Sequence, residues 1–224
     1  MDKWRTRWPE WRVLEVFLPE GQRRVAVAWF ALLQEFEDAM NVAGDPLPAD
    51  AKLGWWGEEL RDWSGRRSRH PLGRLLEPLG LDWNPLAAAL PLLVQARSRP
   101  LDQDSGAATL QPLAAAIALL EAQIFGQPRG ARGQAAILAR LQAARVEAGT
   151  EDAVPMRIGG GAGTRGAWTR RLLQDWPRRE AGTLPRRLFS ALARARLQRA
   201  PDGAPRAPLR PLVALWLGWR AARH

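Results

Sequence analysis

The sequence predicts an all-α protein, a single bundle of roughly eight to ten helices. Three observations predict it. Alanine, leucine and arginine dominate while β-branched residues are sparse, a mix that favours helix over strand. Apolar residues recur at helical 3–4 spacing in segment after segment. No strand-like alternation of useful length occurs anywhere in the 224 residues. The length suits one large domain, and a hydrophobic share of 46% is ample for a buried core.

The elements follow in order. Leu18-Pro19-Glu20-Gly21 turns into a helix over about Gln22 to Val42, with Val25, Ala28, Trp29, Leu32, Leu33, Phe36 and Met40 on its apolar face. Gly44-Asp45-Pro46-Leu47-Pro48 ends it, and Asp50 is placed to cap a second helix running to Trp63. Ser64 to Arg69 is a basic loop. His70-Pro71 opens a third helix, interrupted at Pro78, and Asn84-Pro85 starts a fourth over Leu86 to Arg97. The stretch RSRPLDQDSGAA reads as a polar loop before an apolar helix over Leu110 to Phe125, with Pro112 near its first turn, where proline is tolerated. Arg132 to Val146 is the next helix. Residues 147–166, with Gly159, Gly160, Gly161 and Gly163, read as a flexible glycine-rich loop, because no strand precedes it and no GK[ST] follows, as a phosphate loop requires. Helices over Ala167–Trp176 and Leu184–Gln198 follow. A proline-rich connector spans 200–208, and PLRPLVALWLGWRAARH closes the chain as a final core helix with a basic outer face, or as a helix lying on a membrane surface.

Charge and composition narrow the chemistry. The net charge is +10, but Thr164 to His224 alone carries +11, leaving −1 for the rest. A basic C-terminal quarter suits an anionic partner: phosphate, diphosphate, anionic lipid or nucleic acid. The tryptophans interleave with leucine and alanine rather than with arginine in a polar groove, so nucleic acid is not the expected partner. The absence of cysteine removes disulfides and thiolate metal sites, and two histidines do not make a histidine-based zinc site. The start, MDKWRTRWPEW, has no apolar h-region, and no run of about 18 apolar residues occurs. A cytoplasmic protein is expected, peripheral on the inner membrane face if it meets a membrane at all.

The stretch QEFEDAMN, residues 34–41, is either a solvated helix end or what is left of a metal-binding carboxylate cluster. VAVAWFALLQEFEDAMN resembles the first acidic helix of the squalene/phytoene synthase family, where an aromatic–Ala–x–x–Arg–x–x–Asp-Asp–x–x–Asp pattern binds magnesium. KLGWWGEELRDWSGRRSRHP resembles the next helix and loop, and ATLQPLAAAIALLEAQIFG the central helix. ARGQAAILARLQAARVEAGTEDA stands where the second acidic motif belongs, and LPRRLFSALARARLQRA with PLRPLVALWLGWRAAR resembles the C-terminal helices. The resemblance spans nearly the whole chain in order. It implies an isoprenoid-synthase fold around a deep apolar cavity, with two acidic motifs facing each other across magnesium ions. Working members join two prenyl diphosphates head to head, the metal neutralising the leaving diphosphate.

Both motifs are degraded in this chain. Glu37, Asp38 and Asn41 lie on one helix face at the motif's positions, but Asn41 offers a neutral carbonyl and Gln34 stands where the family has arginine. In the second motif Ala143 and Ala144 replace the arginine and first aspartate, leaving Glu147 before, and Glu151 and Asp152 after, a helix break expected at Gly149-Thr150 as the nearby acids that could hold a second metal ion. Gln34, Arg66, Arg67 and Arg69 are the candidates for holding diphosphate. The resemblance therefore implies a catalytically degenerate member that binds a prenyl or other isoprenoid lipid, or a protein partner, at a membrane surface. The alternative is an active transferase with Mg2+ as its cofactor.

Overall fold

The structure is a computed structural model describing residues 1–126, 131–158, 163–177, 182–199 and 207–223, without the side chains at 131, 132 and 151. The described residues are helical with no strand, as expected. Twelve α-helices are present among them: α1 Asp2–Arg7, α2 Trp11–Leu14, α3 Glu20–Met40, α4 Leu47–Ser64, α5 Gly73–Leu76, α6 Asn84–Ala89, α7 Pro91–Gln95, α8 Gln103–Phe125, α9 Ala131–Ala148, α10 Thr164–Asp175, α11 Leu184–Arg199 and α12 Pro211–Ala222. The two short N-terminal helices exceed the expected set. They form because Trp4, Trp8 and Trp11 recur at 3–4 spacing and all three rings are buried.

Helix α3 runs through the middle. It is buried around most of its circumference and packs on α1, α4, α5, α7 and α9. Two aromatic groups build the core around it. Trp4, Trp8, Trp11, Phe30 and Phe189 join the N-terminus to α11, with Phe30 and Phe189 centroids 4.6 Å apart. Trp29, Trp83, Trp63, Trp56 and Phe36 join α3 to α4 and α6. Fully burying an indole contributes roughly 4–6 kcal/mol before entropy is counted. This accounts for where the tryptophans go: eight of the twelve rank among the largest fully buried side chains.

Several elements differ from the sequence reading; the helix expected over Leu86 to Arg97 is split into α6 and α7 at Leu90. Helix α8 begins at Gln103, not Leu110, because Asp102 and Ser105 form a reciprocal capping box: Ser105 N donates to Asp102 Oδ1 at 2.9 Å and Asp102 N to Ser105 Oγ at 3.0 Å. Pro112 is therefore inside the helix. The Ala108 carbonyl that it leaves without a donor belongs to an exposed residue, where water can serve it. Helix α4 starts at Leu47 with Pro48 in its first turn, so Asp50 is not the cap but pairs with Arg97. The described flanks of the glycine-rich stretch are pinned rather than loose, since Met156 N and Arg157 N donate to Pro100 O and Leu101 O, both at 3.0 Å. The centre of that stretch, 159–162, and most of the proline-rich connector, 200–206, lie outside the described residues.

The earlier start gives α8 a length and apolarity sufficient to cross a membrane, the one such helix among the described residues. It is built into the bundle. Leu113, Ala114, Ile117 and Leu120 are buried, α9 packs along it, and Glu121 carries an internal ion pair. The deep apolar cavity implied by the resemblance is not found between α3, α8, α9 and α11. Leu33, Phe36, Ile117, Ile137 and Leu141 close in there to leave about 10 Å³, barely one water.

Candidate functional site

Helix α9 crosses α3 with an apolar stripe of Ala136, Ile137, Leu141 and Ala144, and one charged residue, Arg140, stands in it. Arg140 is 1% exposed. Its Nε donates to Glu37 Oε1 at 3.1 Å and its Nη2 to Glu37 Oε2 at 2.5 Å, a fork-on-fork pair between the two helices. Its Nη1 donates to Glu147 Oε2 at 2.8 Å, two turns along α9. The guanidinium lies over the ring of Trp8 at 5.3 Å and near that of Phe189 at 5.8 Å.

The electrostatics follow from burial. Desolvation pushes the Glu37 carboxyl above its usual range, against the pull of Arg140. Burial works against the Arg140 charge too, but Glu147 and Glu37 outweigh it and push its pKa up, so the guanidinium stays charged. One cation thus holds two acids that would otherwise repel each other in a dry interior.

The other residues of the first motif face elsewhere. Asp38 is bound by Lys3 Nζ at 2.6 Å, Arg7 Nη1 at 2.9 Å and Gln34 Nε2 at 2.6 Å. Burial raises the Asp38 carboxyl, but the Lys3 hydrogen bond and the Arg7 charge more than offset this and leave it below its ordinary value. Gln34 serves here as a donor to Asp38. Asn41 turns its amide back onto its own helix, Nδ2 donating to Glu37 O at 2.9 Å.

Of the second motif's described side chains, Glu147 alone reaches the first, through Arg140. Helix α9 ends at Ala148, and Gly149 adopts φ +81°, so the chain breaks where the sequence suggested. Asp152 is exposed, with its backbone carbonyl accepting from Arg145, and the side chain of Glu151 lies outside the described residues. Ala143 and Ala144 are core residues. The basic loop is occupied locally. Arg67 and Arg69 pair with Asp62, and Arg69 also pairs with Glu59. Arg66 adopts φ +58° at the exposed turn. No ion pair from this loop reaches Glu37 or Asp38.

Magnesium requires near-octahedral oxygen ligands with free lone pairs. The residues present do not fit it. Both Glu37 oxygens accept from Arg140, Asp38 is bound by two other cations, and the Asn41 amide is turned onto the backbone. Among the described residues no three carboxylate or imidazole side chains converge as a metal group.

The partner that decides the fate of Glu37 is not among the residues that the sequence singles out. Its signal is Arg140, a lone charge inside the apolar stripe of α9 with Glu147 seven residues on. The excess of arginine near the C-terminus is likewise partly internal. Arg186 Nε donates to Glu121 Oε1 at 3.0 Å, and Arg196 Nε donates to Glu10 Oε1 at 2.8 Å, both deep in the bundle.

A second feature is on the surface. Helix α12 buries Ala214, Gly218 and Ala221, packs Leu217 against the core and turns four large apolar residues outward. Leu212 is 79% exposed, Trp216 52%, Trp219 44% and Leu215 41%, at the i, i+3, i+4, i+7 spacing of one helix face. Gly218 fixes this orientation, since a Cβ there would lie 2.6 Å from the Phe17 ring. Arg220 and Arg223 lie over the Trp216 and Trp219 rings at 4.8 and 4.0 Å. Val16, on the neighbouring turn, is 60% exposed.

No family model matches the chain, and no curated protein or solved structure is similar enough to it to indicate a relationship.

Proposed function

We propose that this chain is a non-catalytic helical bundle of squalene/phytoene synthase type that acts as an interaction or assembly factor on an anionic membrane surface at the inner, cytoplasmic face. The observation that carries the reading is the outer face of α12. Four large apolar side chains stand exposed in one row, with Arg220 and Arg223 against the two tryptophans and Arg210 at the start of the helix. Such a helix lies in the interface, with its apolar face among the acyl chains and its arginines at the phosphates. Each arginine near an anionic surface contributes about 1 kcal/mol, and tryptophan favours the headgroup level.

The non-catalytic part of the reading is supported by Arg140, whose guanidinium stands between the two acidic helices. A protein partner suits the reading better than an enclosed prenyl ligand, because the space between α3, α8, α9 and α11 is only about 10 Å³.

Vesicle flotation tests the membrane contact. The full chain is expected to float with vesicles of phosphatidylglycerol and phosphatidylcholine, and less with phosphatidylcholine alone. Leu212→Glu with Trp216→Glu, two exposed changes that leave the bundle folded, is expected to reduce flotation at least tenfold. Equal flotation of the variant and the parent chain, or none by the parent, overturns the reading.

A further inference from the structure

A further cavity among the described residues lies away from both features above. It measures about 220 Å³ and opens between the end of α7, the start of α8, and helices α9 and α10. It shares no lining residue with the Glu37–Arg140–Glu147 cluster. Its walls mix two chemistries: Leu110, Pro155 and the Trp168 ring are apolar, while Arg99, Gln142 and Arg145 are polar.

Arg145 is the unusual member. Four arginines are buried among the described residues: Arg140, Arg145, Arg186 and Arg196. Three of them grip a carboxylate from two sides. Arg145, 7% exposed, does not. Its Nη2 donates to two neutral carbonyls, Arg97 O at 2.9 Å and Asp152 O at 3.0 Å. No carboxylate among the described residues lies within ion-pair distance of it, and its Nε and Nη1 make no hydrogen bond there. A buried cation without a direct ion pair is costly: burial lowers the Arg145 pKa, and the attraction of the Asp152 charge offsets this only in part.

Trp168 supplies an independent sign. It is 2% exposed, and its indole N–H is buried with no acceptor. Trp8, Trp11 and Trp83 also lack acceptors, but each is packed ring on ring inside the aromatic core. Trp168 lines a cavity instead. The one carboxylate on the wall, Asp102, is held by Arg157 Nη1 at 2.7 Å and by the α8 cap, so its charge is largely compensated.

We propose that this cavity is a binding site for a small organic anion, a carboxylate or phosphate monoester whose charged group is held by the Arg145 guanidinium and the Trp168 N–H, with its apolar part against Leu110 and Pro155. The volume limits the ligand, since drug-sized sites run from about 300 to 1,000 Å³. The arrangement has the form of small-ligand sites generally: an apolar body with few convergent polar groups.

Calorimetric titration of the full chain with benzoate and with phenyl phosphate tests it, with neutral benzyl alcohol as control. One or both anions are expected to bind saturably and the alcohol not to bind; which anion binds assigns the charged group. Arg145→Gln is expected to weaken binding by at least tenfold, and Trp168→Phe, which removes only the N–H and keeps an aromatic ring, by about fivefold. The indole ¹⁵N–¹H signal missing from Trp168→Phe identifies Trp168 in the parent spectrum, and that signal is expected to shift as the anion saturates. If Arg145→Gln fails to fold, because it anchors two backbone segments, Trp168→Phe and the indole signal decide alone. Absence of saturable binding by either anion overturns the proposal. So does unchanged affinity in the folded variants, or binding that leaves the Trp168 signal in place.

Discussion

Replacing Arg140 with methionine is expected to destabilise the fold by about 3–5 kcal/mol near neutral pH, the usual result of removing one partner from a buried pair. Methionine keeps most of the volume and the contact with Trp8, so the loss is chiefly electrostatic. It leaves Glu37 and Glu147 without their common cation. Glu37 then has only burial acting strongly on it, which raises its folded-state pKa further above the unfolded value of about 4.3. An acid raised in this way destabilises the fold above its folded pKa and ceases to do so as pH falls through it. The deficit of Arg140→Met relative to the parent chain is therefore expected to be largest at neutral pH and to shrink on acidification. Glu37→Leu added to Arg140→Met is expected to restore part of the loss. Chemical denaturation of the three chains at about pH 7 and about pH 5 checks both points. A constant deficit across that range would show that packing, not charge, is what Arg140 supplies.

The second large effect is expected at Glu121. This carboxylate, 2% exposed on α8, accepts from Trp29 Nε1 of α3 at 2.7 Å and from Arg186 Nε of α11 at 3.0 Å. Three helices meet on one side chain. Glu121→Leu leaves the buried Arg186 guanidinium without its acid and the Trp29 N–H without an acceptor, and about 3–5 kcal/mol of stability is expected to go with them. Arg186 also lies over Phe30 at 5.1 Å, so its alkyl stem and guanidinium are fixed by packing as well as charge. Glu121→Leu combined with Arg186→Met is expected to be more stable than Glu121→Leu alone, because no unpaired charge remains. The double-mutant cycle in urea measures the coupling, and a coupling near zero would mean that the pair contributes only bulk.

The sequence carried the helical class and the order of the main helices because both rest on local signals. Apolar spacing in α3 and the break at Gly149 are read within a few residues. The capping box at Asp102 and Ser105 is equally local, but the polar composition around it resembles a loop and hides the true start of α8. The site was legible only in part. That Glu37, Asp38 and Asn41 share one helix turn follows from spacing. That Glu37 faces Arg140 does not, since 103 residues separate them and the contact depends on how α3 and α9 cross. The same holds for Arg196, whose acid, Glu10, also accepts from the Leu209 backbone and so ties the N-terminus to the segment before α12. An arginine-rich quarter looks like an anionic docking surface from composition. Which arginines are inside and which are outside is decided by tertiary contacts with distant acids.

The most direct test of the account asks whether the acidic pair performs chemistry. The purified chain is incubated with radiolabelled farnesyl and geranylgeranyl diphosphate and magnesium, with and without NADPH, and the neutral lipid is extracted. With Arg140 holding Glu37 and Glu147, no labelled condensation product is expected above the protein-free control. A labelled head-to-head product would contradict the account, because magnesium would then have displaced the guanidinium and rebuilt a working clamp from Glu37 and Glu147.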